Sequence, residues 1–232
     1  VILLASKSAG RLATLRAAGI TPRVQVSDVD EPAVLAALAR TALQDGAPAP
    51  SPAEQVQALA RAKAQAVAAS LSDADRAQDP SLLVVGCDSM LEIDGQVVGK
   101  PRSAQAARER WLSMRGRSGT LHTGHTVIRA SDGEAQHGVS STLVRFAFPS
   151  EEEIDAYVAS SEPLWCAGAF TIDGLGGAFI EGVEGDPHGV VGLSLPLLRR
   201  LVTSLGVTWT DLWDLRRQEG SPSSSVTTEE RQ

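Results

Sequence analysis

The segment Leu82-Leu83-Val84-Val85-Gly86-Cys87-Asp88-Ser89 decides the fold class. Four consecutive apolar residues without polar alternation describe a central strand buried on both faces, the pattern of a sheet held between helices. Polar residues then leave its carboxyl end, where sheets of this kind gather ligands. Upstream, Val1 to Leu4 reads as a second buried strand. It runs through the polar loop Ala5-Ser6-Lys7-Ser8-Ala9-Gly10 into a helix marked by Leu12, Leu15 and Ala18 and closed by Gly19. A short strand, Arg23 to Val26, leads to Ser27-Asp28-Val29-Asp30-Glu31-Pro32, where acidic residues and proline suit a helix entrance with Glu31 at its mouth.

The proline-rich stretch Gly46 to Pro52 breaks the pattern as a loop between helices. In the next helix Ser51 caps, Pro52 fits the first turn and Glu54 completes a capping box. Val56, Leu59, Ala60, Lys63 and Val67 then share one face, so Lys63 interrupts an apolar stripe. Beyond the central strand, Met90 to Ile93 and Gln96 to Val98 flank Asp94-Gly95, a strong hairpin signal that delivers Gly99-Lys100-Pro101 and lets Lys100 face Asp88. A helix from about Ser103 to Met114 precedes two antiparallel strands, His122 to Arg129 and Val139 to Phe148. Ser150 to Glu153 opens another helix, Gly168 to Gly192 is dense in glycine, and Ser194 to Leu205 closes the domain with a leucine stripe. The expectation is an α/β fold with a mixed sheet flanked by helices. It occupies residues 1–207 as one domain, and an extension over 208–232 is expected to be largely disordered after about Trp213.

A net charge of −7 gives no basic field for gathering polyanions, so a nucleic-acid polymer is not expected as a partner. No apolar run approaches the roughly 20 residues that span a bilayer, and the first residues given show no basic region followed by a long apolar stretch. A soluble, cytoplasmic protein with no membrane partner is expected. Cys87 and Cys166 fit neither a metal clip nor a disulfide framework, and Cys87 reads as an inert buried thiol. The four histidines read as structural, at strand or loop positions.

The loop Ser6-Lys7-Ser8-Ala9-Gly10-Arg11 places hydroxyls, small residues and a guanidinium at a helix N-terminus, where backbone N–H groups and the helix dipole favour phosphate. Taken alone, the segment reads more readily as an ordinary serine-capped helix, and only residues from elsewhere in the chain raise the phosphate reading. It lacks the glycines and the Gly-Lys-Ser/Thr ending of a Walker loop. Glu31, Lys63, Asp88 and Lys100 supply two carboxylates and two ammonium groups from four elements. Splitting a phosphoanhydride needs such a set: a base for water, and cations for the charge that develops on phosphate oxygens. Each residue alone also has a plain role, Asp88 capping a turn, Lys63 reaching solvent along its stem and Glu31 facing a helix dipole.

Taken together, Leu4-Ala5-Ser6-Lys7-Ser8 with Arg11, Ser27 to Glu31, Ala62-Lys63-Ala64, Gly86-Cys87-Asp88-Ser89, Gly99-Lys100-Pro101, Thr123-Gly124, Tyr157 with Glu162-Pro163, Ala167 to Phe170 and Val190 to Leu193 resemble the Maf family of nucleotide pyrophosphatases, also described as septum-formation inhibitor-like proteins. The resemblance runs from about Ile2 to Gly206. It implies a fold akin to inosine triphosphate pyrophosphatases with two lobes around a cleft, a divalent cation such as Mg²⁺ or Mn²⁺, and frequent homodimers. It assigns Asp88 as proton acceptor and puts Ser6, Ser8, Arg11, Glu31, Lys63 and Lys100 in the cleft, with Glu162 and Asp173 at the substrate and Glu31 and Asp88 as candidate metal ligands. The chain departs from the family at Ala9-Gly10, usually Pro-Arg, at Ser161, usually Gly, and at Asp173, which is Gln in the thymidine/uridine-specific branch. The implied activity is hydrolysis of a nucleoside triphosphate between its α and β phosphates, as in cleansing the nucleotide pool. The alternative is a nucleotide-binding regulator of cell division without significant catalysis.

Overall fold

The computed structural model describes residues 1–215, so the disorder expected after about Trp213 falls almost wholly outside the described residues. Seven strands form one mixed sheet. They are β1 (Ile2–Leu4), β2 (Arg23–Val24), β3 (Leu83–Ile93), β4 (Gln96–Val98), β5 (Ser118–Arg129), β6 (Ala135–Phe146) and β7 (Ile180–Glu184). The order is β2-β1-β3-β5-β6-β7, with β1 parallel to β2 and β3 and every later pairing antiparallel. The helices are α1 (Ala9–Ala17), α2 (Glu31–Gln44), α3 (Pro52–Ser70), α4 (Asp73–Gln78), α5 (Ala104–Met114), α6 (Glu151–Ala159), α7 (Pro187–Val191) and α8 (Leu195–Ser204). The α/β class and the mixed sheet flanked by helices are as the sequence predicts.

β3 corrects one expectation. The apolar run does not end at Val85 in a loop; the strand continues to Ile93, and Asp88 pairs in mid-strand with Gly124 of β5. What opens the site is the other edge of β3. There β1 accompanies the strand only as far as Val85, and β4 joins it only from Leu91. Asp88 and Ser89 lie in the gap between them, unpaired on that side, where the end of β1 feeds the Ser6 to Arg11 loop.

One sheet face is covered by α3, packed through Ala64, Val67 and Ala68 against Leu3, Val84 and Ile128. The helix lies unusually close. A Cβ on Gly86 would sit 2.7 Å from the Ala64 nitrogen and closer still to the Ala60 carbonyl, and one on Gly124 would sit 2.8 Å from the Gln57 nitrogen. Only hydrogen at both positions lets the helix backbone rest on the sheet. The contact fixes the height of Lys63 above Asp88.

The opposite face carries two apolar clusters. In the first, the predicted leucine stripe of α8 packs with Ile2, Leu4, Leu15, Leu83 and Val85, and Leu212, from the segment set apart at 208, joins the same cluster. Burying each such leucine contributes roughly 1.5–3 kcal/mol. The second surrounds Trp111, whose ring meets Phe146, Tyr157 and Phe179 edge-on and whose Nε1 donates to the Ala169 carbonyl at 2.8 Å. That bond ties the glycine-dense segment to the core.

Ser161 stands at φ +66°, a left-handed conformation, and its side chain makes no capping bond to the turn that follows. A β-carbon there costs energy with no hydrogen bond in return. Ser161→Gly is expected to raise stability by about 1 kcal/mol, read as a higher urea midpoint at unchanged slope; a lower midpoint would show that the serine is accommodated without strain.

Candidate active site

Five segments converge on the gap in the β3 edge. From α3, Lys63 Nζ lies 2.6 Å from Asp88 Oδ1 and 2.7 Å from Glu31 Oε1. Asp30 caps α2 through the Ala33 amide at 2.9 Å, which sets Glu31 in the first turn, as the sequence predicts. Lys63 and Asp88 are each only 13% exposed, so their attraction is screened far less than a surface pair. Burial opposes ionisation of Glu31, but the hydrogen bond and charge of Lys63, joined by the charges of Lys100 and Arg11, outweigh it and hold the carboxyl below its usual range. Lys100 is itself exposed, with no ion pair among the described residues, and its charge also reaches Cys166. Three of the four charged groups, Glu31, Lys63 and Asp88, thus lie in direct contact, with Lys63 bridging both carboxylates, while the expected facing of Lys100 and Asp88 has no hydrogen bond or ion pair behind it among the described residues. Asp88 Oδ2 keeps no hydrogen-bond partner among the described residues, which leaves it a free acceptor.

The phosphate-loop residues are brought together as well. Arg11, 9% exposed, donates from Nε to the Gly192 carbonyl at 2.8 Å, from Nη1 to Ser6 Oγ at 3.0 Å and from Nη2 to Ser89 Oγ at 3.2 Å. Of its five N–H groups, one on each terminal nitrogen is left over, a fork suited to phosphate oxygens. Ser8 caps α1, accepting from the Arg11 amide at 3.4 Å, and Ser6 Oγ accepts from the Ser8 amide at 3.2 Å. The capping role is therefore present, and the Ser6 and Ser8 hydroxyls stand beside the Arg11 guanidinium at the start of α1.

Asp173 lies beside this loop, with Oδ2 3.8 Å from the point a Cβ would occupy on Gly10. Glu162 has a different task. Its carboxylate accepts from Tyr157 Oη at 2.9 Å, from the amides of Leu175 and Gly176 at 3.1 and 3.0 Å, and from Thr171 Oγ1. These bonds hold the 171–176 segment that carries Asp173.

The thiol of Cys87 is pushed up to about 11 by burial, consistent with an inert core cysteine. His125 is fully buried and driven down to about 4, mainly by burial. Its Nδ1 donates to the Thr123 carbonyl at 3.0 Å and its Nε2 accepts from the Ser194 amide at 2.9 Å, a structural link from β5 to the start of α8. Ser89 and Thr123 are the site residues that sequence reasoning missed as functional groups, although each lies inside a motif it had marked.

Among the described residues no group of three or more His, Cys, Asp or Glu is arranged around a point that could hold a metal. Glu31 and Asp88, both within hydrogen-bond reach of Lys63 Nζ, would offer hard-oxygen donors of the kind Mg²⁺ takes together with substrate phosphates and water. The residues present therefore fit a substrate-completed cation and not a closed protein cage.

A family profile described as Maf-like protein matches residues 1–205. The chain is 54% identical over 215 residues to a nucleoside triphosphate pyrophosphatase of Mycolicibacterium smegmatis, covering 91% of this chain and 96% of the relative. It is 51% identical over 212 residues to one from Salinispora tropica, covering 91% and 87%. A Streptomyces coelicolor protein of the same description is 50% identical over 212 residues, covering 91% and 94%.

Proposed function

The chain belongs to the Maf-like protein family, and from that premise we propose how its gap in the β3 edge works as the active site of a nucleoside triphosphate pyrophosphatase. The observation that carries the reading is Lys63 joining Glu31 and Asp88 while Asp88 Oδ2 stays free. A water oxygen attacks the α-phosphorus as Asp88 takes one of its protons. The bond from the α-phosphorus to the bridging oxygen breaks, and pyrophosphate leaves with the electron pair. Lys63 and Lys100 offset charge on the phosphate oxygens, and the free fork of Arg11 holds the triphosphate with the hydroxyls of Ser6 and Ser8. A divalent cation, Mg²⁺ or Mn²⁺, would sit on Glu31 and Asp88 and neutralise phosphate charge there.

Asp173 is proposed to face the base. An ionised carboxylate only accepts hydrogen bonds, whereas a glutamine amide both donates and accepts and so matches the mixed edge of uracil or thymine. The reading also includes a cytoplasmic location, pairing with a second copy of the chain, and no nucleic-acid or membrane partner. No helix among the described residues is long and apolar enough to cross a membrane.

The test is pyrophosphate release from UTP, dTTP, CTP and GTP with Mg²⁺, with Mn²⁺ and with chelator. Metal-dependent release from at least one nucleotide is expected, and Asp173→Gln should shift the ranking toward UTP and dTTP. Binding without release would leave the cleft a sensor, and an unchanged ranking would remove Asp173 from the base pocket.

A further inference from the structure

Arg11 does not stand alone. The Ser89 hydroxyl that accepts from its Nη2 lies 2.8 Å from Thr123 Oγ1, and Thr123 Oγ1 lies 2.8 Å from the Gly189 carbonyl. The direction of this chain follows from proton counting. A carbonyl oxygen can only accept, so the single hydroxyl proton of Thr123 is committed to Gly189. The Ser89 proton must then point at Thr123, which leaves the lone pairs of Ser89 for the guanidinium. Both ends of the arrangement are tied to the same segment, because Arg11 Nε donates to Gly192 and Thr123 donates to Gly189, which flank the last turn of α7.

Thr123 is fully buried, and its hydroxyl proton is taken by the Gly189 carbonyl, so it has no direct contact to offer a substrate. We propose that Ser89 and Thr123 are positioning residues for the hydrolysis: a directed relay, Arg11 to Ser89 to Thr123 to the Gly189 carbonyl, that fixes the plane of the guanidinium and so aims its two spare N–H groups at the triphosphate. The proposal rests on the reading of Arg11 as a phosphate ligand. With Thr123 unable to accept, the Ser89 proton is free to turn toward Arg11, setting donor against donor and releasing one corner of the fork.

The experiment is steady-state kinetics on the best substrate of the nucleotide panel, for Thr123→Val, Thr123→Ser, Arg11→Ala and the double variant Thr123→Val with Arg11→Ala. Valine has the shape of threonine without the hydroxyl. KM is expected to rise about tenfold in Thr123→Val with kcat within about twofold, since phosphate holding is largely uniform binding. Thr123→Ser, which keeps the hydroxyl, should return KM toward the wild type. In the Arg11→Ala background the valine should add nothing, because the group it positions is gone. A Thr123→Val enzyme with a lower melting temperature and wild-type KM would reduce the hydroxyls to a structural role and overturn the relay. So would a double variant whose KM is the product of the two single effects. If Arg11→Ala itself leaves KM unchanged, the phosphate reading fails first and the relay with it.

Discussion

Asn in place of Asp88 is expected to lower kcat by about 10² to 10⁴ while nucleotide binding stays measurable. The amide oxygen can still accept from Lys63, whose Nζ lies 2.6 Å from the present Oδ1, and Lys63 keeps its second partner in Glu31. Fold and site geometry should survive. What the amide cannot do is take a proton from water in place of Oδ2. The loss should therefore fall on kcat and leave KM nearly unmoved, with an unchanged melting temperature as the control. Turnover near the wild type would mean that Asp88 serves only as the counter-ion of Lys63. Loss of fold would assign it to the sheet alone.

The second large effect is on the frame. Gly86→Ala is expected to cost about 3 kcal/mol of stability, since the added Cβ meets the backbone of α3 at Ala60 and Ala64 and neither a side-chain rotation nor a small adjustment can clear it. The helix must lift, and Lys63 lifts with it. Such a variant should therefore lose activity even where it remains folded, because the Lys63 to Asp88 distance depends on that contact. Urea unfolding gives the first quantity and turnover below the transition gives the second. Wild-type stability would contradict a flush contact between α3 and β3. Reduced stability with full activity would show that Lys63 is not set by it.

The charged cluster was legible because each member is announced locally. Lys63 breaks an apolar stripe of period 3.6, Glu31 follows a capping aspartate and precedes a helix-starting proline, and Asp88 comes at the end of an apolar strand run. The continuation of β3 past Val85 was hidden, since Gly86 and Asp88 argue locally against a strand. Gly86 is required by the helix above it and Asp88 pairs with Lys63 of that same helix, so both positions answer to contacts from outside the strand. The short helix α4 was also missed. Its capping box, Ser72 with Asp75, was present in the sequence but preceded no apolar stripe that would mark a packed helix.

The relay around Arg11 could not be read from the sequence. It joins residues 78, 34 and 66 positions apart along the chain, and its closing bond, Arg11 to Gly192, spans 181. No periodicity or short motif encodes such distances; they appear only when the gap between β1 and β4 brings α1, β3, β5 and α7 together. Glu162 shows the reverse case. The motif drew attention to the right residue, while the four partners of its carboxylate reveal that it shapes the loop bearing Asp173.

The central claim is attack at the α-phosphorus, and hydrolysis in ¹⁸O-labelled water tests it most directly. Mass spectrometry of the products after a single turnover should find one labelled oxygen in the nucleoside monophosphate and none in the pyrophosphate. Label in the pyrophosphate, or release of inorganic phosphate with a nucleoside diphosphate, would contradict it.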